Sequence, residues 1–198
     1  MIDVREYWPW PATGEALTNV FDGGIVQTYS AAQGGVRLRE TVNGTWKDDW
    51  FYRYDTFRGV LEYEDVYPKT TALQKMMFWT PVICNICVPG KEIIWGGVQK
   101  VGDSISGLCQ TSGIGGQHGW QRVDFQDLLV SFDTPAGKFF DVLVLEYWQS
   151  WSNGLVKGAK TWFAPGMGQI RAEWTLSHAP TGYSMALQSF QKQPAIIS

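Results

Sequence analysis

Residues Asp141–Ser177, DVLVLEYWQSWSNGLVKGAKTWFAPGMGQIRAEWTLS, constrain this chain more than any other stretch. They read as three consecutive antiparallel strands joined by two tight turns, at Ser152-Asn153-Gly154 and Pro165-Gly166-Met167-Gly168. In the third strand Ile170, Ala172, Trp174 and Leu176 fall on one face, and Arg171, Glu173 and Thr175 on the other. Such a period of two marks a strand in a half-buried sheet. Asp141–Leu145 is more uniformly apolar and reads as covered on both faces.

A second meander is expected over residues 25–67. IVQTYS and VRLRETV flank a Gly34-Gly35 turn, and TWKDDWFYRYD returns after Asn43-Gly44. Asn-Gly is the strongest short hairpin signal, because a type I′ turn needs positive φ at both central positions. FRGVLEYEDVY adds a fourth strand, with Val60, Glu62 and Glu64 alternating against Leu61, Tyr63 and Asp65. KTTALQKMMFWT (69–80) is the best helix candidate, ended by Pro81. Val82–Val88 reads as a short apolar strand. The glycine-rich 89–119 stretch is expected to carry strands near Glu92–Trp95 and Ser104–Leu108. Trp120–Phe132 resumes strand character, and a last strand is expected near Tyr183–Phe190.

The first 24 residues, with Trp8-Pro9-Trp10-Pro11, read as an extended arm that packs on its own barrel or on a neighbouring subunit. The expected fold is therefore all-β with minor α: an antiparallel barrel or sandwich built from meanders, with one short helix. It is one domain over 25–198, preceded by the 1–24 arm. No internal repeat of 20–50 residues suggests a propeller or solenoid.

Thr161-Trp162-Phe163-Ala164-Pro165-Gly166-Met167-Gly168, preceded by Gly154-Leu155-Val156-Lys157 and continued by Gln169-Ile170-Arg171, resembles a turn pattern of bacterial β-barrel and half-barrel domains. The likeness covers about one fifth of the chain. It implies a strand ending in a glycine turn, and it transfers no catalytic residue. Many domains with this turn are secreted lipoproteins or lipid-handling proteins. The start of this sequence has no basic or apolar signal region, which argues for a cytoplasmic or virion-associated location instead.

Composition narrows function. Charged residues make up 18% and the net charge is −3, without a basic run, so a nucleic-acid face is not expected. No apolar stretch reaches the length of a membrane span, and no membrane partner is expected. Aromatics are 15% of the chain, including 11 Trp. They suit a packed core, a subunit contact or a ring-stacking surface. Trp148 and Trp151 beside the Asn153-Gly154 turn, and Trp8 and Trp10 in the arm, are the candidate ligand or interface residues.

Cys84-Asn85-Ile86-Cys87 with Cys109 and His118 has the composition of a Cys₃His zinc site. The competing reading is inert buried cysteines and no cofactor, since free Cys behaves as a small hydrophobe. Asp48-Asp49 and Glu62–Asp65 read as solvated faces on meander edges. Glu146, inside VLVLEYW, reads as a surface carboxylate or one paired with Arg171 or Lys160. His118 and His178 are the only histidines, and no GxSxG, HExxH or Walker loop is present.

Two functional readings follow. One is a non-enzymatic structural protein that self-associates or joins an assembly through aromatic surfaces, such as a phage accessory, decoration or tail component. The other is a barrel that binds a small apolar or glycan ligand. A hydrolase built on an unseen carboxylate pair is a third possibility.

Overall fold

The computed structural model describes residues 1–68, 82–87, 91–112, 118–151, 156–176 and 179–194; side chains are not described at 68, 82–87, 111–112, 118, 151, 156–157 and 179–180. The helix expected over 69–80, residues 113–117 of the glycine-rich stretch and the Asn153-Gly154 turn lie outside the described residues.

Among the described residues fifteen strands follow in chain order. The first four are β1 (Ile2–Asp3), β2 (Glu15–Phe21), β3 (Ile25–Ala32) and β4 (Gly35–Val42). They are followed by β5 (Thr45–Asp55), β6 (Gly59–Pro68), β7 (Val82–Cys87) and β8 (Ile93–Gly96). Next come β9 (Val98–Gln99), β10 (Ser104–Ser112), β11 (His118–Thr134) and β12 (Gly137–Trp151). The chain closes with β13 (Val156–Ala164), β14 (Gly168–Leu176) and β15 (Ala179–Pro194).

Twelve of these strands form one nearly closed antiparallel barrel in the order β5-β4-β3-β2-β15-β14-β13-β12-β11-β10-β7-β6. The β5–β6 pairing brings the two ends of that order together. Closure removes the unpaired edges that an open sheet would expose. β8 adds to β6 through Val60↔Gly96, Leu61↔Ile94 and Glu62↔Ile93, and so lays Trp95 against the barrel. Of the two architectures expected, barrel and sandwich, the barrel is the one formed.

Local chemistry accounts for the register. Asn43 and Gly44 both have positive φ, 50° and 75°, and join Val42 to Thr45 as a two-residue hairpin. Ala164–Gly168 turns with positive φ at Gly166 and Gly168. A Cβ on Gly168 would lie 2.4 Å from the Tyr29 hydroxyl, so this turn seats against β3 only as glycine.

The segment expected as an arm divides in two. Glu15–Phe21 is a barrel strand between β3 and β15. Its inward row is Leu17, Asn19 and Phe21. The polar Asn19 hides the alternation in sequence; its Nδ2 donates to the Met167 carbonyl across 2.8 Å. The remaining residues 1–14 cap the barrel. Val4–Tyr7 forms a 3₁₀ turn whose Asp3 side chain accepts from the Arg5 N–H. The Gly166 N–H donates to Glu6 O across 2.7 Å, which ties the arm to the β13–β14 turn. Trp8 then enters the interior, 4% exposed, and stacks on Phe163 at 4.8 Å. The arm therefore packs on its own barrel.

Candidate functional site

The barrel interior is not filled. A cavity of about 500 Å³ opens between the β3–β6 wall and the β12–β14 wall. Many of the lining residues follow from strand alternation. On β5, Asp48, Trp50 and Tyr52 are two apart and share the inner face. On β12, Tyr147 and Gln149 face in; on β13, Ala159, Thr161 and Phe163 do so. Trp95 and Trp8 form one end, 5.5 Å apart, with Tyr52 at 5.9 Å from Trp8 and Tyr147 at 4.8 Å from Trp95.

Across this wall runs a band of carboxyl groups. Register places Gln27 opposite Glu40 and Glu40 opposite Asp48, on three adjacent strands. On β6, Asp65 lies opposite Trp50 and Glu62 opposite Tyr52. Glu62 and Asp65 are three residues apart and would face opposite ways on a regular strand. The register slips between Phe51 and Tyr52, with Tyr63 as the extra residue, so both reach the cavity.

These groups are connected. Gln27 Nε2 donates to Glu40 Oε2 at 3.0 Å and to Gln169 Oε1 at 3.3 Å. Trp95 Nε1 donates to Glu62 Oε2 at 3.2 Å, and Tyr52 bonds the same carboxyl. Asp48 and Asp65 are hydrogen-bonded to each other, which requires a proton between the two carboxyls. Burial, that bond and the charges of Asp65, Glu62 and Glu40 push the Asp48 carboxyl up to about 10. Burial and the charge of Asp65 push Glu62 up to about 8, against the hydrogen bonds from Trp95 and Tyr52. Burial also raises Glu40, with the Gln27 bond opposing it. The Tyr29, Tyr52 and Tyr147 hydroxyls are all raised, burial first. At neutral pH this is a polar, aromatic-walled interior that holds protons on Asp48 and Glu62. None of its described lining residues is Lys, Arg or His.

The carboxylates read from sequence as solvated edges are therefore corrected. Asp48, Glu62 and Asp65 line the interior, because barrel closure turns one face of β5 and β6 inward and the bulge at Tyr63 rotates Asp65 to join it. Asp49 is buried as well, held by Arg39 through two bonds of 2.7 and 2.6 Å and by Trp46 Nε1 at 3.2 Å. Glu146 lies on the outer face opposite Lys160, as expected of a surface carboxylate, and accepts from Gln126 Nε2.

The aromatic candidates separate. Trp8 is a wall of the cavity. Trp10 donates its indole N–H to Arg5 O at 2.8 Å and lines a shallower hollow with Pro9, Pro11, Lys192 and Pro194. Trp148 lies between the inward Tyr147 and Gln149, so alternation sets it on the outer face. The Trp151 side chain lies outside the described residues. Beyond the four candidates, the inward aromatics include Tyr29, Trp50, Tyr52, Trp95, Tyr147, Phe163 and Trp174. The alternation on β5 was a usable signal for Trp50 and Tyr52.

The proposed zinc ligands spread over three neighbouring strands. Backbone through Cys84-Asn85-Ile86-Cys87 is continuous strand, where a zinc knuckle must turn. Cys87 lies opposite Thr111, and His118 opposite Gln110; the side chains of Cys84, Cys87 and His118 are outside the described ones. Cys109 is buried, its Sγ donates to Gly119 O at 3.6 Å, and burial pushes its thiol up to about 11. Among the described residues no three His, Cys, Asp or Glu side chains are grouped to hold a metal ion.

No protein-family model matches the chain, and no curated protein matches it. Two solved structures are similar. One is described as a "putative lipoprotein" from Parabacteroides distasonis: 10% identity, 94% of this chain and 99% of that one covered, TM-score 0.46. The other is described as a "putative exported protein" with a YmcC-like fold from Bacteroides fragilis: 14% identity, 93% and 98% covered, TM-score 0.35. These likenesses concern the fold and assign no ligand. The expected cytoplasmic or virion-associated location is corrected: the similar structures are described as a lipoprotein and an exported protein. The expectation had rested on where the sequence begins, and that says nothing of a leader.

Proposed function

We propose that this barrel is a binding module for a small molecule held in its interior. The observation that carries the reading is the cavity of about 500 Å³, walled by Trp8, Trp50, Tyr52, Trp95 and Tyr147 and crossed by the Glu40–Asp48–Asp65–Glu62 band. Its size falls within the roughly 300–1,000 Å³ usual for small-molecule sites. A core that served stability alone would be packed to crystal-like density and would not keep buried acids. Stacking faces next to directional polar groups suit a partly polar, ring-bearing ligand, the glycan-like class, better than a lipid tail.

The test is a thermal-shift and calorimetric screen of sugars, aryl alcohols and aryl amines against the protein and its Ala159→Phe variant. Ala159 is 1% exposed and lines the cavity, so the added ring occupies the proposed site. Binding by the native protein that is lost in Ala159→Phe supports the reading. Binding that survives the filled cavity overturns it.

Assembly through an aromatic-rich surface is favoured by a separate observation. Leu108, Trp120, Val130 and Phe140, on β10, β11 and β12, are 51%, 54%, 82% and 61% exposed. Light scattering checks this second reading: a multimer converted to monomer by Val130→Asp and Phe140→Asp supports it, and a monomeric native protein ends it.

A further inference from the structure

We infer that the molecule bound in the barrel is a primary amine in its ammonium form, carried on a ring-bearing body. This deepens the interior-binding reading and rests on it.

The first support is the sign of the cavity. Four carboxyl groups enter it, and no described lining residue carries a positive charge. An anionic or phosphorylated ligand would find no counter-charge among the described lining residues.

The second is an acceptor without a donor. Gln27 is 3% exposed, and both of its Nε2 bonds go to Glu40 and Gln169. Its Oε1 has no hydrogen-bond partner, although the side chain lines the cavity. A buried carbonyl oxygen is costly unless an N–H or O–H reaches it. The carboxylates beside it are acceptors once ionised. A ligand group with several N–H donors and a positive charge answers both needs. A quaternary ammonium has the charge without the donors.

The third is the aromatic wall. Trp8, Tyr52, Trp95 and Tyr147 meet at the end of the carboxyl band that Glu62 occupies. Ring faces attract cations and also stack on a flat organic body. A bare metal ion fits poorly: the space is far larger than one ion, and no described carboxyl trio is grouped for coordination. The raised carboxyls agree with this assignment. Burial and the charges of neighbouring acids hold protons on Asp48 and Glu62, and an entering ammonium would displace them.

Calorimetry at pH 7.5 tests the inference, with 2-phenylethylamine, 2-phenylethanol, 3-phenylpropionate and N,N,N-trimethyl-2-phenylethylammonium as probes. The amine is expected to bind at least about tenfold more tightly than the alcohol, the carboxylate or the trimethyl compound, as expected for a desolvated charge with donors. Glu62→Gln and Glu40→Gln should each weaken the amine by about tenfold and leave the alcohol unchanged. Both replacements keep the side-chain shape and cannot ionise, so they are expected to fold. A glucosamine disaccharide run beside its N-acetylated form separates the two sources of such a group: preference for the free amino sugar over the acetamide assigns an aminoglycan, and binding of the aryl amine alone assigns a small aromatic amine. Equal binding of amine and alcohol, both lost in Ala159→Phe, overturns the amine inference and leaves interior binding standing. Failure of every probe and every sugar to bind overturns both.

Discussion

Trp95 donates its indole N–H to the carboxyl of Glu62 across 3.2 Å, inside the barrel. Both residues are under 10% exposed, at 7% each. The bond spans β8 and β6, which pair at Glu62↔Ile93. β8 stands outside the twelve-strand ring, so this contact couples an accessory strand to the acid band. Tyr52 reaches the same carboxyl from β5. Two donors hold one acid in place, yet burial still raises its affinity for a proton, because a charge in this interior has lost its water.

The first consequence is a pH dependence of stability. Glu62 is raised to about 8 and Asp48 to about 10. Asp65, Glu40, Tyr52 and Tyr147 are the titratable groups that act with them. The folded chain keeps protons that the unfolded chain gives up near pH 4, so these two acids favour folding fully below that pH. Their contribution is lost as pH rises, through about 8 for Glu62 and about 10 for Asp48. Glu92 acts oppositely. Burial tends to raise it, but the Arg58 bond and the charges of Arg58 and Arg53 outweigh that and lower it, so its contribution fades as pH falls below the ordinary carboxylate range. The melting temperature is therefore expected to peak near pH 5 and to decline towards pH 9. Glu62→Gln should flatten the decline between about pH 5 and 8 and raise Tm at pH 9 by about 5 °C or more. Scanning fluorimetry across pH 4–10 checks it; a native Tm that holds level from pH 5 to 9 would contradict the assignment.

Glu92 itself is a stability prediction. Its side chain is 1% exposed and accepts from Arg53 at 2.6 Å and from Arg58 at 2.6 Å. Both arginines are partly exposed, at 42% and 32%. They therefore regain water when the acid is removed, which softens the loss. Glu92→Ala leaves a hole and takes the buried partner from both guanidinium groups, of which Arg58 keeps Asp55 at 3.5 Å, for a cost of about 3 kcal/mol. Glu92→Gln keeps the shape and should cost about half as much. Urea titrations of the three proteins measure both; a neutral Glu92→Ala would mean that the pair contributes only as an exposed surface bridge does.

The meanders were legible because turn chemistry and alternation agree there. Asn43-Gly44 adopts the positive φ pair its sequence calls for, and β14 alternates as Ile170, Ala172 and Trp174 require. The acid band was not legible for two physical reasons. A barrel buries polar residues in an interior that alternation alone cannot tell from solvent, so Asp48 and Glu62 look like any outward charge. The bulge at Tyr63 then breaks the count, joining Asp65 to Glu62 across an odd spacing. β2 was missed for a kindred reason, since Asn19 occupies an inward position where an apolar residue would have declared the strand.

Gly59 tests how tightly β8 docks. Its φ is +87°, and a Cβ there would sit 1.9 Å from the Gly96 carbonyl oxygen and 2.2 Å from its carbon. The obstacle is backbone, which cannot rotate away as a flexible side chain can. Gly59→Ala thus meets both a left-handed conformation and a collision, and should cost at least about 3 kcal/mol. Gly34→Ala is the control: its φ is +77° but nothing lies within 4 Å, so only the conformational part applies, about 1 kcal/mol. Equal losses in the two variants, read by urea unfolding, would show that β8 does not approach Gly59 so closely.

Trp8 links the arm to the cavity. It is 4% exposed, stacks on Phe163 with an interplanar angle of 17°, and also meets Trp95 and Tyr52. The segment that carries it is fixed by Val4 N–H to Gly97 O at 2.9 Å and Gly166 N–H to Glu6 O at 2.7 Å. Truncation to alanine removes a buried indole from a rigid site, at a cost of about 3–5 kcal/mol. Because Trp8 also walls the cavity, the loss should enlarge the interior and not merely loosen the arm. Two readings separate these effects. Trp8→Phe keeps most of the stacking surface and should recover at least half of the stability lost in Trp8→Ala. Indole added to Trp8→Ala should raise its Tm by refilling the vacated space, as apolar ligands do in engineered cavities, and should leave the native protein unmoved. If Trp8→Ala is as stable as the native protein and indole shifts neither, the arm is not the barrel's plug.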